Sequence, residues 1–227
     1  MAESAIPVIA IDGPGGSGKG TIARLLAERL GWHLLDSGAL YRVLGLAAAR
    51  KGVALEDETG LAQLAAELPV RFETRGPSNP EIWLGDDCVT EEIRTEEGGF
   101  RASRVAVFPQ VRRALIRLQR SFQVAPGLVA DGRDMGTIVF PESPLKIFLT
   151  ASTEERAKRR YKQLKEKGID VSLAALSRDI EERDRRDSQR SVAPMRPADD
   201  ARILDSTGKS IDEVVEIVAG WAGELVS

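Results

Sequence analysis

VIAIDGPGGSGKGT, residues 8–21, combines an apolar run, a glycine-rich turn and the start of a helical pattern. The apolar run at 8–11 predicts a short strand, and the residues from 22 onward have the apolar spacing of a helix. Between them, residues 13–19 match the GxxxxGK pattern of a phosphate-binding P-loop. Glycines let successive backbone N–H groups turn toward a polyphosphate, and the helix start adds its positive dipole end. The stretch therefore predicts a nucleotide-binding strand, loop and helix.

Further short apolar runs predict four more strands. They are residues 33–35, 128–130, 145–149 and 202–204. Helical patterns lie between most of them, which predicts an α/β fold with a five-stranded parallel sheet and helices on both faces. Ligands of such sheets bind at the carboxyl ends of the strands, and four of the five runs end at an aspartate.

Two segments interrupt this alternation and are predicted to be insertions in a single domain spanning residues 1–227. The first, about 60–104, contains apolar runs at 70–73 and 82–84 around a Gly/Pro-rich turn at 76–80, which predicts an antiparallel hairpin. The second, about 154–193, is dense in charge and predicts a helical pair broken near Gly168. Such a segment is either a lid or an ordinary solvated helix surface.

Composition excludes several classes of protein. A formal net charge of −3 gives no overall attraction to nucleic acid polymers or anionic membranes. Cys88 is the sole cysteine, so an intramolecular disulfide is excluded, and we expect it to be a small buried hydrophobe. His33 is the sole histidine, which leaves little basis for a hydrolase triad or a zinc site. Without an apolar run near ~20 residues, a cytoplasmic location is expected.

The residue after Lys19 departs from the usual P-loop pattern. Gly20 stands where a serine or threonine is common, and the hydroxyl follows one position later, at Thr21. We therefore expect no direct metal ligand from the protein, and expect Mg²⁺ to arrive with ATP, with Asp36 or Asp131 as outer-shell partners. A guanine-reading Asn-Lys-x-Asp motif is absent, because Asn79 is the sole asparagine and proline follows it.

Three more stretches accompany the P-loop: LDSGALYR at 35–42, ADGRDMGT at 130–137 and ERDRRDSQR at 182–190. With them the chain resembles the bacterial cytidylate kinases, a family of P-loop nucleoside monophosphate (NMP) kinases, over nearly its whole length. The resemblance implies Mg²⁺- and ATP-dependent phosphorylation of CMP and dCMP by a protein expected to be monomeric. It also implies that residues 60–104 are an NMP-binding insertion and that 154–193 are a lid.

The resemblance further implies a role for individual residues. Those assigned to ATP are Gly13, Pro14, Gly15, Gly16, Ser17, Gly18, Lys19, Gly20, Thr21 and Arg159. Those assigned to catalysis are Lys19, Arg133, Arg183 and Arg190. Those assigned to the acceptor are Ser37, Tyr41, Arg42, Ser103, Arg112, Arg133, Asp134, Arg183, Asp187 and Arg190. Arginine suits the reaction because phosphoryl transfer between two anionic nucleotides needs positive charge around the transferred group.

Residue chemistry agrees with parts of these assignments. Asp134 can accept from the N4 amino group of cytosine and Arg112 can donate to N3 and O2, whereas uracil would set its O4 against the carboxylate. Arg183, Asp187 and Arg190, spaced i, i+4 and i+7, are predicted to share one helix face. The same spacing is typical of surface ion-pair ladders of little energetic value. Apart from the resemblance, Ser103 and Arg112 would pass for an amphipathic helix with an exposed basic face.

Two alternatives stay open at this level. A related kinase for another nucleotide, shikimate or gluconate would share the loop and the lid arginines, so only the residues assigned to the base separate it from a CMP kinase. A nucleotide-dependent regulator would bind the same ligands with little or no turnover. The sequence leaves open the preference between CMP and dCMP.

Overall fold

The structure of the protein is a computed structural model in which two compact units are distinguished. Unit 1 comprises Met1–Leu34 and Gln123–Ser227, and unit 2 comprises Leu35–Phe122. The residues that the structure describes are 6–73, 80–166, 168–190 and 192–226.

Strands and helices alternate along most of the described chain. The strands are β1 (Val8–Asp12), β2 (His33–Asp36), β3 (Val70–Glu73), β4 (Glu81–Leu84), β5 (Asp87–Cys88), β6 (Leu128–Gly132), β7 (Leu145–Thr150) and β8 (Arg202–Asp205). The α-helices are α1 (Lys19–Leu30), α2 (Ser37–Lys51), α3 (Glu58–Ala66), α4 (Thr90–Ile93), α5 (Glu96–Val105), α6 (Pro109–Ser121), α7 (Thr153–Glu166), α8 (Leu173–Ser188) and α9 (Ile211–Val226). A π-helical turn, Met135–Val139, follows β6.

A five-stranded parallel sheet in the order β2-β6-β1-β7-β8 confirms the predicted α/β class and all five predicted strands. Strand β1 lies at its centre, with Ala10 paired to Ala130 of β6 on one side and to Lys146 of β7 on the other. Every residue of β1 is buried, as a strand covered on both faces requires. The central strand thus delivers the P-loop at its carboxyl end.

The core of unit 1 is formed by apolar side chains of the sheet and of helices α1 and α9. Ile9 and Ile11 of β1 pack with Leu26 of α1 and Val218 of α9, all of them fully buried. Burial of side chains of this size stabilises the fold by about 1.5–3 kcal/mol each. Helix α1 is therefore held rigidly behind the loop that precedes it.

Unit 2 is built from helices and a small antiparallel sheet of order β3-β4-β5. Val70 pairs with Leu84 and Phe72 with Ile82, which confirms the predicted hairpin. Residues 76–79 of its predicted turn lie outside the described residues. Fully buried Leu44, Leu61 and Leu115 join helices α2, α3 and α6 in one core. The single domain over 1–227 and the insertion bounds at about 60–104 and 154–193 stay predictions.

The sole cysteine differs from expectation. Cys88 is exposed, so the prediction that it is buried is wrong. Strand β5 has only two residues, both exposed, and it pairs with β4 at the edge of the small sheet. His33 is exposed as well, with its Nε2 2.9 Å from the carbonyl oxygen of Ala125. In the described ranges, none of the helices is long and apolar enough to cross a membrane.

Candidate active site

The loop after β1 adopts a conformation that only glycine allows at several positions. Gly13 has φ +147°, and a Cβ there would collide with the carbonyl oxygen of Leu149. Gly18 has φ +92° and is the N-cap of α1. A Cβ on Gly16, where φ is +81°, would lie 3.2 Å from the Cβ of Arg156. Backbone N–H groups at the start of α1 are thus directed toward the loop, as binding of a phosphate requires.

Lys19 is buried beside this loop. Its Nζ lies 3.3 Å from the carbonyl oxygen of Pro14 and 3.9 Å from Oδ1 of Asp131. The carboxylate and the loop carbonyl hold the ammonium close to the loop. Lys19 is therefore placed to neutralise a bound phosphate without a large rearrangement.

The unusual Gly20 is explained by its neighbour on β6. A Cβ on Gly20 would lie 3.1 Å from Oδ2 of Asp131, so the carboxylate fills the space beside the missing side chain. The other acid considered for the metal, Asp36, accepts instead from the N–H of Ala39 and caps α2. In the described part of the chain, no group of three or more His, Cys, Asp or Glu side chains could hold a metal ion. One carboxylate fits an ion that is carried by a nucleotide and does not fit a protein-built metal centre.

Asp187 is the centre of a buried ion-pair cluster. It is 2% exposed and accepts hydrogen bonds from Nε of Arg133 and Nη2 of Arg190. Burial acts to raise the pKa of Asp187, but the positive charges of Arg133, Arg190 and Arg183 outweigh it and lower that pKa. Burial likewise acts to lower the pKa of Arg133, and attraction to Asp187 outweighs it, so that pKa is raised. All of these groups are therefore charged at neutral pH.

The predicted helix face needs a correction at its end. Helix α8 ends at Ser188 with Gln189 as its C-cap, so Arg190 lies just beyond the helix and does not continue its face. The carboxylate of Asp187 accepts hydrogen bonds from Arg133 and Arg190, and the charge of Arg183 also acts on it, so Arg133 joins the two arginines that the spacing predicted. Because this cluster is buried, it is no solvated surface ladder.

Arginine side chains meet over the P-loop. A Cβ on Gly15 would lie 3.5 Å from Nη2 of Arg133 and 3.7 Å from Nη1 of Arg183. Arg133 follows β6 and Arg183 belongs to α8. The parallel sheet and the charged helical pair therefore both place positive charge at the P-loop. This is the electrostatic environment that a transferring phosphoryl group needs.

Arg156 was missed by the sequence analysis, although it connects three parts of this site. It is buried, donates to the carbonyl oxygens of Gly15 (3.2 Å) and Ala151 (3.0 Å), and pairs with Asp184 of α8 at 2.6 Å. Its contacts hold α7 and α8 against the P-loop. The one signal in the sequence is its position, in the first turn of a charged helix directly after a predicted strand.

Arg159, assigned to ATP by resemblance, also lies beside the P-loop. Its Nη1 donates to the carbonyl oxygen of Ser17 at 3.1 Å, and its Nη2 to that of Ser206 at 2.8 Å. Ser206 was missed as well. It is buried after β8, and its hydroxyl lies 3.1 Å from the carbonyl oxygen of Ser17. The loop after β8 is thereby fixed to the back of the P-loop.

Five residues assigned to the acceptor belong to unit 2. Ser37 and Tyr41 are buried in α2, and Ser103 is half-buried in α5. Arg42 donates to the carbonyl oxygens of Ile93 (2.8 Å) and Thr95 (3.2 Å). Arg112 is 5% exposed, lies 5.6 Å from the ring of Tyr41 and donates to the carbonyl oxygen of Ala106. The amphipathic pattern of the helix alone suggested an exposed basic face, and at Arg112 that prediction is wrong.

Comparisons with known proteins agree with these observations. The family model described as "Cytidylate kinase" matches residues 9–223. Proteins named cytidylate kinase are similar along the chain: one from Pseudomonas paraeruginosa is 61% identical, with 95% of each chain covered. Another, from Colwellia psychrerythraea, is 58% identical over 98% of each chain. The solved structure of an uncharacterized protein from Eubacterium ventriosum has a TM-score of 0.51 against this chain. The match covers 95% of this chain and 97% of that one. With 13% sequence identity, it shows a similarity of fold alone.

Proposed function

The chain belongs to the cytidylate kinase family, and from that premise we propose that it transfers the γ-phosphoryl group of ATP to CMP and dCMP, giving CDP and dCDP. The observation that supports this most directly is the meeting of Arg133 and Arg183 at Gly15 of the P-loop. A regulator that only binds nucleotide has no need of positive charge placed where the γ-phosphoryl group would be transferred. Shikimate and gluconate kinases are set aside because the family model covers nearly the whole chain.

The donor nucleotide is proposed to bind along the P-loop. Backbone N–H groups of residues 13–21 hold the phosphates, Lys19 neutralises the β- and γ-phosphates, and Arg159 contributes from α7. Mg²⁺ bound with ATP supplies further neutralisation of these phosphates. Asp131, beside Gly20, is the residue that would hold the water shell of the ion.

The transfer step is proposed to depend on Arg133, Arg183 and Arg190. As the bond to the γ-phosphorus breaks and the acceptor phosphate approaches, negative charge develops on equatorial and bridging oxygens. Preorganised guanidiniums stabilise that charge more in the transition state than in the bound substrates. Asp187 orients two of them, because its carboxylate accepts from both Arg133 and Arg190. Helices α7 and α8 would also exclude water, which otherwise hydrolyses ATP.

The acceptor residues are carried over from the family resemblance. They are Ser37, Tyr41, Arg42, Ser103, Arg112 and Asp134, together with the arginines of the transfer step and Asp187 near the pentose hydroxyls. Arg112 is 5% exposed and Asp134 is 4% exposed, so a hydrogen bond from either side chain to a bound base would be shielded from water and strengthened. The monomeric state, the cytoplasmic location and the lack of nucleic acid polymer partners stay predictions.

A coupled assay of ADP release over a panel of acceptors tests the proposed activity. With Mg²⁺ and ATP, we expect CMP and dCMP to be phosphorylated with much higher kcat/KM than UMP or AMP, and expect shikimate and gluconate to be inert. Direct separation of products should show CDP or dCDP formed in step with ADP. ATP hydrolysis that is equally fast without an acceptor, and with no CDP, would show that the proposal is wrong.

Base selection is expected to depend on Asp134. Asp134→Asn replaces an acceptor-only carboxylate with an amide that can donate to O4 of uracil, so the CMP to UMP ratio of kcat/KM should fall by roughly tenfold to a hundredfold. Arg112→Ala should lower kcat/KM for CMP by removing the donor to N3 and O2. Exposed Asp199→Asn serves as the matched control and should leave the ratio unaltered. An unchanged ratio in Asp134→Asn contradicts the assignment.

A further inference from the structure

The last residue of β1 is a buried carboxylate that none of the roles above uses. Asp12 is 4% exposed and pairs with Gly132 of β6 and Phe148 of β7 in the sheet register. The next residue is Gly13, the first glycine of the P-loop. A buried acidic side chain at the end of an otherwise apolar strand is unfavourable unless its oxygens are bonded.

Both oxygens of Asp12 are bonded to one turn. Oδ1 accepts from the N–H of Met135 and Oδ2 from that of Gly136, each at 2.8 Å. These two N–H groups open the π-helical turn Met135–Val139. At a helix start such groups lack partners within the helix and are usually capped by the residue directly before it. Here that residue is Asp134, whose side chain makes no capping hydrogen bond, and the cap comes from a different strand.

We propose that Asp12 is a positioning residue for recognition of the acceptor base: its carboxylate fixes the turn that follows Asp134 and so holds Asp134 in place for cytosine. The inference rests on the proposed function, in particular on the role of Asp134. With the N–H groups of Met135 and Gly136 already bonded to Asp12, the carboxylate of Asp134 is kept from folding back onto the turn. Arg133 is fixed separately by Asp187, so loss of Asp12 should affect recognition of the base more than the transfer step.

The electrostatic surroundings make this cap sensitive to protonation. Burial raises the pKa of Asp12 to about 7, although the N–H groups of Gly136 and Met135 act to lower it. Of the charged groups around it, Asp134 raises the pKa of Asp12 further and Lys19 lowers it. A protonated carboxyl keeps one good acceptor oxygen and turns the other into a donor. Below about pH 7 one of the two N–H groups is therefore left without its acceptor, and the turn is held less firmly.

The test is Asp12→Asn, which is nearly isosteric but sets an amide NH₂ against one of the two N–H groups. We expect KM for CMP to rise by roughly tenfold and the CMP to UMP ratio of kcat/KM to fall by a similar factor. KM for ATP and kcat should change by less than about threefold. Ser143→Ala is the matched control, since the buried Ser143 Oγ lies 2.7 Å from the Val8 carbonyl oxygen at the opposite end of β1. It should lower the melting temperature without changing the ratio.

A second arm uses the wild-type protein alone. Between about pH 6 and pH 8 the CMP to UMP ratio of kcat/KM should rise several-fold, because Asp12 ionises over this range. The titration of the substrate phosphate is common to CMP and UMP, so it cancels in the ratio. In Asp12→Asn this rise should be absent. If the variant does not fold, the wild-type pH arm decides by itself, and a flat wild-type ratio overturns the proposal.

The inference and the proposed function fail in distinguishable ways. Absence of CDP with the wild-type protein overturns the proposed function. If CDP forms and Asp134→Asn lowers the ratio while Asp12→Asn leaves it unchanged, only the role of Asp12 is overturned. A fall in the ratio for Ser143→Ala equal to that for Asp12→Asn would also overturn it, because the effect would then be a general loss of packing around β1.

Discussion

Lys19→Ala is expected to lower kcat for CMP phosphorylation by about a hundredfold to a thousandfold, the usual effect of removing one preorganised charge from a transition state. Lys19 contributes little to the apolar core, since its ammonium lies beside the Pro14 carbonyl oxygen and the Asp131 carboxylate. The fold should therefore persist while the γ-phosphoryl group loses one of the cations proposed to neutralise it. Steady-state kinetics with saturating CMP and ATP measure the effect, and the melting temperature reports on the fold.

Two further variants separate charge from packing at Lys19. Lys19→Met retains much of the aliphatic stem but no charge, and should be as slow as Lys19→Ala. Lys51→Ala, which removes an exposed lysine at the end of α2, should retain full turnover. If kcat of Lys19→Met is close to that of the wild-type protein, the P-loop lysine has no role in catalysis.

Arg183→Ala is expected to reduce kcat by about a hundredfold or more, while the Kd of ATP changes by only a few-fold. The guanidinium of Arg183 is directed at Gly15, where the transferring group would lie, so its interaction should strengthen as charge develops there. An effect on kcat without a matching effect on binding indicates an interaction made chiefly in the transition state. Arg190→Ala should behave similarly, with an added loss of order around Asp187.

The matched control for Arg183 lies on the same helix. Arg186 is exposed and contacts only the backbone and side chain of Glu182 among the described interactions, so Arg186→Ala should be nearly silent. Hydrogen exchange over residues 154–193 should slow most when CMP and a non-hydrolysable ATP analogue are both present. If Arg183→Ala is fully active and hydrogen exchange in 154–193 responds to neither ligand, α7 and α8 are a solvated charged surface and not a lid.

The sheet and the P-loop were predictable from sequence because both depend on short local patterns. Each strand of the five-stranded sheet is a short apolar run, and the loop has positive φ angles at Gly13 and Gly18 that favour glycine. The family itself followed from four quoted stretches. The roles given to individual side chains still rest on that resemblance.

What the sequence could not supply depends on contacts between distant segments. In the sequence, Arg156 is indistinguishable from the other charged residues of its helix. Its role is visible only in the structure, where it donates to the carbonyl oxygen of Gly15 in the P-loop. The i, i+4, i+7 spacing in the sequence places Arg190 on the helix face of Arg183, but the helix ends two residues before Arg190. Cys88 is exposed because its strand is only two residues long, and strand length is set by pairing with β4. In each case tertiary contacts outweigh local propensity.

The close approach of Gly20 to Asp131 also limits how this sequence can drift. A side chain at position 20 would have its Cβ 3.1 Å from a carboxylate oxygen, a spacing tighter than most real contacts, so substitution of Gly20 alone forces the aspartate to move. Asp131 in turn lies 3.9 Å from Nζ of Lys19, so its removal alone disturbs the charge balance of the loop. The two positions are thus epistatic: a mutational path from this loop to the common GK[ST] form has to pass through a variant impaired at one of them, or change both together.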